Sequence, residues 1–107
     1  MSVIPQMSVK ELKQRMDQGT APVVIDVREP NEYQICNIGA RLIPMNTVPA
    51  RLDEIPRDKD VVIQCKSGGR SQRVAEFLAQ SGYTRVSNLA GGILAWATEI
   101  DPTMQKY

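Results

Sequence analysis

The stretch Val61-Val-Ile-Gln-Cys-Lys-Ser-Gly-Gly-Arg-Ser-Gln-Arg-Val-Ala-Glu-Phe-Leu78 constrains this chain more than any other part of it. Val61 to Ile63 is a short apolar, β-branched run, as expected of a buried strand. The loop Cys65-Lys-Ser-Gly-Gly-Arg70 follows. Ser71 then opens a helical pattern, with Val74, Phe77 and Leu78 at i, i+3 and i+4. A strand, a tight glycine-containing loop and a helix start bring several backbone N–H groups around one point, and that point carries a cysteine. A free thiol titrates near about 8.5, so little of it is thiolate at neutral pH. A helix N-terminus, a ring of N–H groups and the cations Lys66 and Arg70 all favour the anion. Gly68 and Gly69 let the backbone curl with positive φ and approach a bound atom closely. Cys65 is therefore read as a reactive thiolate rather than a packed structural thiol.

The rest of the composition narrows how such a cysteine is activated. The chain has no histidine, which excludes a Cys–His dyad, a Ser–His–Asp triad and any His-containing zinc site. Its two cysteines, Cys36 and Cys65, form no CxxC pair and no disulfide framework. A reducing cytoplasm is the expected setting. No metal or organic cofactor is implied. With 13 basic and 12 acidic residues the net charge is +1, so neither nucleic acid nor an anionic membrane is expected as the main partner. No apolar run approaches the roughly 20 residues of a membrane span, and no signal peptide is expected.

The 107 residues have room for one domain. The first seven are expected to include a short strand. Ser8-Val-Lys-Glu11 is a capping-box pattern, opening a helix whose apolar face is Val9, Leu12 and Met16 and whose stop is Gly19. Val23 to Ile25 reads as a buried strand. Asp26, Arg28 and Glu29 follow where it ends, so they are candidates for the rim of the Cys65 pocket. Asp26 as a local cap and Arg28 in a structural ion pair is the equally weighted alternative. Pro30 can begin a short helix. Leu42-Ile43 suits another strand, Val48, Leu52 and Ile55 a helix face ended by Pro56, and Arg57 to Asp60 a solvated polar turn. Ser81-Gly82 stops the central helix. Tyr83 to Leu89 suits the last strand, and Ala90-Gly-Gly92 starts a helix with Trp96 in the core. Pro102 to Tyr107 is a polar tail expected to fray. Alternating strands and helices imply an α/β fold with a mainly parallel sheet covered on both faces.

The loop Cys65-Lys-Ser-Gly-Gly-Arg-Ser71 resembles the active-site loop of rhodanese-like sulfurtransferases. The resemblance continues upstream in Val24-Ile-Asp-Val-Arg-Glu-Pro-Asn-Glu-Tyr33 and downstream in Leu89-Ala-Gly-Gly-Ile-Leu-Ala-Trp96. The blocks stand in the right order and cover about residues 8 to 99, leaving 100 to 107 as the tail. This resemblance implies a single rhodanese-like domain over residues 1–107, with a five-stranded, mainly parallel sheet and helices on both faces. Residues 35 to 41 depart from the pattern. Many relatives have Gly-His-Ile-Pro-Gly-Ala there, whereas this chain has Cys36-Asn37 in place of Gly-His and no proline before Gly39. Ile-Cys-Asn-Ile looks like rhodanese domains fused to adenylyltransferases that activate ubiquitin-like sulfur carriers. Cys36 is read as a packed thiol, with a resolving thiol for Cys65 as the alternative.

What the resemblance implies chemically is a sulfurtransferase. Cys65 takes a sulfane sulfur from thiosulfate or a protein persulfide and passes it to a nucleophilic acceptor, cyanide in vitro or a ubiquitin-like sulfur carrier. Lys66, Ser67, Gly68, Gly69, Arg70 and Ser71 would cradle the transferred sulfur. Asp26, Arg28 and Glu29 would support. Arg70 either attracts an anionic donor or braces the loop against Asp26 or Glu29. Three rivals are weighed against this reading. A cysteine phosphatase or arsenate reductase is disfavoured because Cys65 to Arg70 is Cys-x4-Arg, one residue shorter than the phosphatase Cys-x5-Arg. Gln64 also stands where such enzymes often have histidine. A redox sensor would use an exposed Cys65, and a Cys65–Cys36 disulfide would reveal it. A non-catalytic binding module is disfavoured by the presence of Cys65.

Overall fold

The computed structural model describes residues 3–107; of the expected N-terminal strand region, Met1 and Ser2 lie outside it. The elements run β1 (Gln6–Met7), α1 (Val9–Asp17), β2 (Val23–Asp26), α2 (Pro30–Ile35), β3 (Arg41–Leu42), a 3₁₀ segment (Met45–Glu54), β4 (Val61–Gln64), α3 (Gly69–Gln80), β5 (Val86–Leu89) and α4 (Gly92–Glu99). The five strands form one sheet in the order β1-β5-β4-β2-β3, and every pairing is parallel. The chain steps outward from β2 to β3, then returns to β4 on the other side of β2 and continues toward β1. That reversal places a topological switch between β2 and β4, whose carboxyl ends are the usual position for a ligand crevice. Asp26 and Gln64 are register partners there, and Cys65 is the next residue.

β4 is buried at all four positions because the sheet is covered on both sides. One core joins Ile25, Val61 and Ile63 to Val74, Ala75 and Leu78 of α3 and to Val48 and Ile55 of the 3₁₀ region. The other joins Val62 and Leu89 to Val9 and Leu12 of α1 and Trp96 of α4. Each fully buried aliphatic side chain here contributes about 1.5–3 kcal/mol by leaving water. The Ser8 hydroxyl accepts from the Glu11 N–H at 3.1 Å, capping α1.

Several local expectations are corrected. Met16 and Phe77 are exposed, so α1 buries Val9 and Leu12, and α3 buries Ser71, Val74, Ala75 and Leu78. The helix expected around Val48 and Leu52 is a 3₁₀ segment, Met45–Glu54, kinked at Arg51, with Ile55 as its C-cap. Pro49 lies inside it and has no N–H to give an α-helical ladder. The turn at residues 57–60 is not simply solvated. Asp60 binds Arg15 of α1 at 3.2 Å and Arg85 at 3.0 Å, and the Arg57 guanidinium lies 4.2 Å from the centre of the Tyr83 ring. The tail does not leave the body either. Met104 packs on the second core, and the Tyr107 carbonyl accepts from Arg28 at 3.3 Å. No helix among the described residues is long and apolar enough to cross a membrane.

Candidate active site

Cys65 leaves the end of β4 and its Sγ turns into the N-terminus of α3. The helix begins at Gly69, two residues before the expected Ser71, because Gly68 caps it in the left-handed region at φ +109°. That conformation is open to glycine and strained for other residues. It aims the Gly68 N–H at Cys65 Sγ, 3.1 Å away, while the Ser71 N–H lies at 3.4 Å and the Ser71 hydroxyl at 3.2 Å. Gly69 is an ordinary first helical residue with open space around it, so only one of the two glycines is conformationally required.

Cys65 is 1% exposed, a socketed sulfur rather than the exposed one a redox sensor would use. Burial pushes its thiol up. Hydrogen bonds from the Ser71 hydroxyl and from the N–H groups of Ser71, Gly68 and Ser67 outweigh this, and the thiol titrates below its ordinary range. The two cations expected to share this task have other partners, although the Arg70 charge still acts on Cys65. Lys66 lies over the Tyr107 ring, its Nζ 4.8 Å from the centroid. Arg70 makes a two-pronged ion pair with Glu32, at 2.7 and 3.0 Å. The Arg70 bond is the main reason that the Glu32 carboxyl is held down to about 2, against the opposing effect of its own burial.

Glu32 is the partner of Arg70, in place of the expected Asp26 or Glu29. Glu29 is exposed and caps α2 in a reciprocal box with Glu32, whose side chain accepts the Glu29 N–H at 3.0 Å. The pattern Glu29-x-x-Glu32 behind Pro30 carried that capping signal, but nothing in it pointed to Arg70, 38 residues away. Asp26 and Arg28 are not on a rim. Both side chains are fully buried and paired with each other at 2.8 Å. Arg28 also donates to the Cys36 carbonyl at 2.7 Å and, more weakly, to the Glu32 carbonyl at 3.4 Å. The pair thus ties the end of β2 to both ends of α2. Cys36 is buried, its Sγ 3.9 Å from Arg28 Nη1. Past it, Gly39 at φ +79° and an Asn37 side chain that accepts the Gly39 N–H close the turn without the missing proline.

The outer wall of the loop is α4. The Ile93 N–H donates to the Cys65 carbonyl at 2.9 Å and the Leu94 N–H to the Lys66 carbonyl at 3.0 Å. Carbonyls of the Cys65 loop therefore point to the start of one helix, while its N–H groups point to the sulfur at the start of another. Gly92 permits this approach. A Cβ there would sit 2.5 Å from both the Cys65 and Lys66 carbonyl oxygens, at φ +58°. Gly92→Ala is expected to lower stability by more than about 2 kcal/mol, through left-handed strain and displacement of the Cys65 loop. Gly69→Ala, which meets nothing within 4 Å, should melt within about 1 kcal/mol of wild type. Equal melts for the two variants would show that the loop yields freely to α4.

Asn88 is a site residue that the motifs did not mark, and Gln64 has a contact in the loop beyond its place before Cys65. Asn88 of β5 is 4% exposed, and its Oδ1 accepts from the Ser71 hydroxyl at 2.5 Å. An amide beside Leu89 near the end of a buried strand was the available signal. Gln64 is fully buried and donates to the Cys65 carbonyl at 3.1 Å, while its Oε1 has no partner among the described residues. No cluster of three or more His, Cys, Asp or Glu side chains placed to hold a metal occurs among the described residues.

Comparisons with known proteins bear on the family and the fold. The family described as rhodanese-like domain matches residues 8–99. A sulfurtransferase of Allochromatium vinosum is 42% identical, covering 89% of this chain and 90% of that protein. The probable adenylyltransferase/sulfurtransferase MoeZ of Mycobacterium tuberculosis is 37% identical over 92% of this chain, which spans only 26% of MoeZ. A rhodanese-like domain protein from Staphylococcus aureus superposes with a TM-score of 0.82 at 28% identity, covering 97% of this chain and 99% of the other. With a five-stranded parallel sheet, a cysteine socket at its carboxyl edge and a family match across most of its length, this chain belongs to the rhodanese-like family.

Proposed function

We propose that this domain is a sulfurtransferase that carries a sulfane sulfur on Cys65. The observation that carries the reading is the socket itself: one buried sulfur at a helix N-terminus, within reach of the Gly68 and Ser71 N–H groups and the Ser71 hydroxyl. The similarity to a sulfurtransferase across nine-tenths of that protein supports it. With thiosulfate, the Cys65 thiolate attacks the outer sulfur. The S–S bond to the sulfonate breaks and sulfite departs with the bonding electron pair. Cys65 now holds a persulfide whose terminal sulfur bears the negative charge. The N–H groups at the start of α3 are the charge-stabilising donors. A nucleophile then attacks the terminal sulfur, and the Cys65 thiolate leaves; with cyanide the product is thiocyanate. Each step needs a good thiolate, as nucleophile first and leaving group second, so one lowered pKa serves both.

The acceptor we favour is the activated C-terminus of a ubiquitin-like sulfur carrier, on the strength of the similarity to the sulfurtransferase part of MoeZ. Toward this acceptor the persulfide is the nucleophile: its terminal sulfur attacks the acyl carbonyl and AMP leaves. An added thiol then cleaves the acyl disulfide at Cys65, so mixing the persulfide form with adenylylated carrier and a thiol reductant should give thiocarboxylate. Absence of that product, where transfer to cyanide proceeds, would remove this acceptor and leave the persulfide chemistry standing. Because the cycle requires a reduced Cys65, we place the domain in a reducing cytoplasm. Phosphate-ester chemistry is disfavoured, since Arg70 is already committed to Glu32.

The test is intact mass after incubation with thiosulfate and then cyanide. One added sulfur atom, removed by cyanide with release of thiocyanate, is expected; no gain on folded, reduced protein would overturn thiosulfate as donor. Cys36→Ser should retain transfer within about a factor of two, because Cys36 packs against Arg28 and enters no step above. A loss comparable to that of Cys65→Ser, in a folded protein, would make Cys36 part of the cycle.

A further inference from the structure

The Ser71 hydroxyl has one proton and two acceptors. Its oxygen lies 3.2 Å from Cys65 Sγ and 2.5 Å from Asn88 Oδ1. Which acceptor holds the proton is decided by a chain of amides whose orientations are anchored at both ends. Asn88 Nδ2 donates to the Gly68 carbonyl at 3.3 Å and to Gln6 Oε1 at 2.9 Å. Gln6 Nε2 donates in turn to the Ile4 carbonyl at 3.2 Å and to Gln72 Oε1 at 2.8 Å. The two backbone carbonyls can only accept, so both amides are fixed in direction. Asn88 therefore presents its oxygen, not its nitrogen, to Ser71. A buried amide oxygen requires a donor, and the Ser71 hydroxyl is the donor that it meets.

We propose that Asn88 is a positioning residue for Cys65, an acceptor that holds the Ser71 proton while the sulfur is uncharged and yields it when the sulfur ionises. In the thiol state the chain runs one way, from Cys65 S–H to Ser71 Oγ and from Ser71 O–H to Asn88 Oδ1. When Cys65 loses its proton to solvent, the O–H···Oδ1 bond breaks and an O–H···S⁻ bond forms. In the persulfide the charge moves to the terminal sulfur, Cys65 Sγ becomes a neutral disulfide-type atom, and the hydroxyl returns to Asn88. This inference rests on Cys65 as the reacting group of the proposed cycle. Its consequence is directional: Asn88 opposes ionisation of Cys65 by one hydrogen bond, while the N–H groups of Gly68 and Ser71, which have no competing acceptor in this relay, favour it. The sulfur is thereby kept from resting as an over-stabilised anion, whose nucleophilicity would fall with its basicity.

The charged groups around Cys65 leave this relay as the part that can rearrange. Arg70 on α3 is held by Glu32 of α2, and Asp26 and Arg28 at the end of β2 hold each other. Lys66 of the loop lies on Tyr107. β5 carries no charged residue, and the one on α4, Glu99, is at that helix's far end beside Lys10.

The test is a titration of the thiolate by its ultraviolet absorbance, in a Cys36→Ser background so that Cys65 is the one thiol. This reads ionisation without requiring sulfur transfer, so it stands or falls separately from the proposed cycle. Asn88→Leu removes the acceptor and should raise the ionisation constant of Cys65 about fivefold, the worth of one neutral hydrogen bond. In a Ser71→Ala background the same substitution should change it by less than about twofold, because the effect passes through the hydroxyl. If Asn88 merely braced the Gly68 carbonyl, its loss would loosen the N–H socket. The constant would then fall, in both backgrounds. Either a fall or an equal change in the two backgrounds would overturn the proposal. If the leucine variant does not fold, Asn88→Val, suited to a strand and equally without an acceptor, takes its place. Failure of both to fold would make Asn88 a scaffold residue and would also overturn it.

Discussion

Cys65→Ser is expected to give a folded protein that takes up no sulfur from thiosulfate. The change replaces one atom in a socket already lined with donors, so the serine oxygen inherits the Gly68 and Ser71 N–H groups. The melt should shift by no more than about 1–2 kcal/mol. Transfer to cyanide should fall by a factor on the order of a thousand or more, because an alkoxide is out of reach at neutral pH and an alcohol is a poor nucleophile toward sulfur. The intact mass should show no added sulfur. A folded serine variant that still releases thiocyanate would remove Cys65 as the carrier, and Cys36 would be the only thiol left.

The second large effect lies away from the sulfur. Arg28→Ala should destabilise the domain by about 3–5 kcal/mol, because it strands the Asp26 carboxylate in a fully buried position. Burial alone opposes the charge on Arg28. The hydrogen bonds and charge of Asp26 outweigh it, so the guanidinium is held charged more firmly than usual. Removing it also leaves the Cys36 carbonyl without its 2.7 Å donor. For a domain of this length the melting temperature should drop by more than about 10 °C. The deficit should narrow on acidification. A carboxyl without its partner at a buried site has a folded pKa above its unfolded one, so the variant gains stability as pH falls and Asp26 takes a proton. Arg28→Lys should lie between, since lysine keeps the charge but cannot reproduce the forked contacts. An alanine variant that melts within about 2 °C of wild type would mean that the buried pair carries no net stability.

The contrast between these two positions shows which parts of the site were legible. Cys65 and its loop could be read because strand, glycine, helix start and nucleophile are contiguous. The N–H groups that surround the sulfur belong to residues three and six positions along the chain, and local geometry alone brings them there. Asp26 and Arg28 were noticed for a position at a strand end, but their burial was not readable. Whether a strand-end carboxylate meets solvent depends on α2, Cys36 and Tyr107 closing over it, and Tyr107 lies 79 residues from Arg28. The same limit applies to the cations. Lys66 and Arg70 stand beside Cys65 in sequence, yet their partners Tyr107 and Glu32 are 41 and 38 residues away.

The sequence by itself determined the α/β class, the parallel sheet, the socketed cysteine and the glycines that shape its turns. These follow from apolar runs, caps and turn residues acting over a few neighbours. Only the tertiary structure decided the electrostatic partners: Glu32 for Arg70, Asp26 for Arg28 within a closed pocket, α4 as the clamp on the loop carbonyls, and Asn88 behind Ser71. Hydrogen bonds and ion pairs are specific to within fractions of an ångström. Chain spacing does not encode such distances across a sheet until every strand has taken its register.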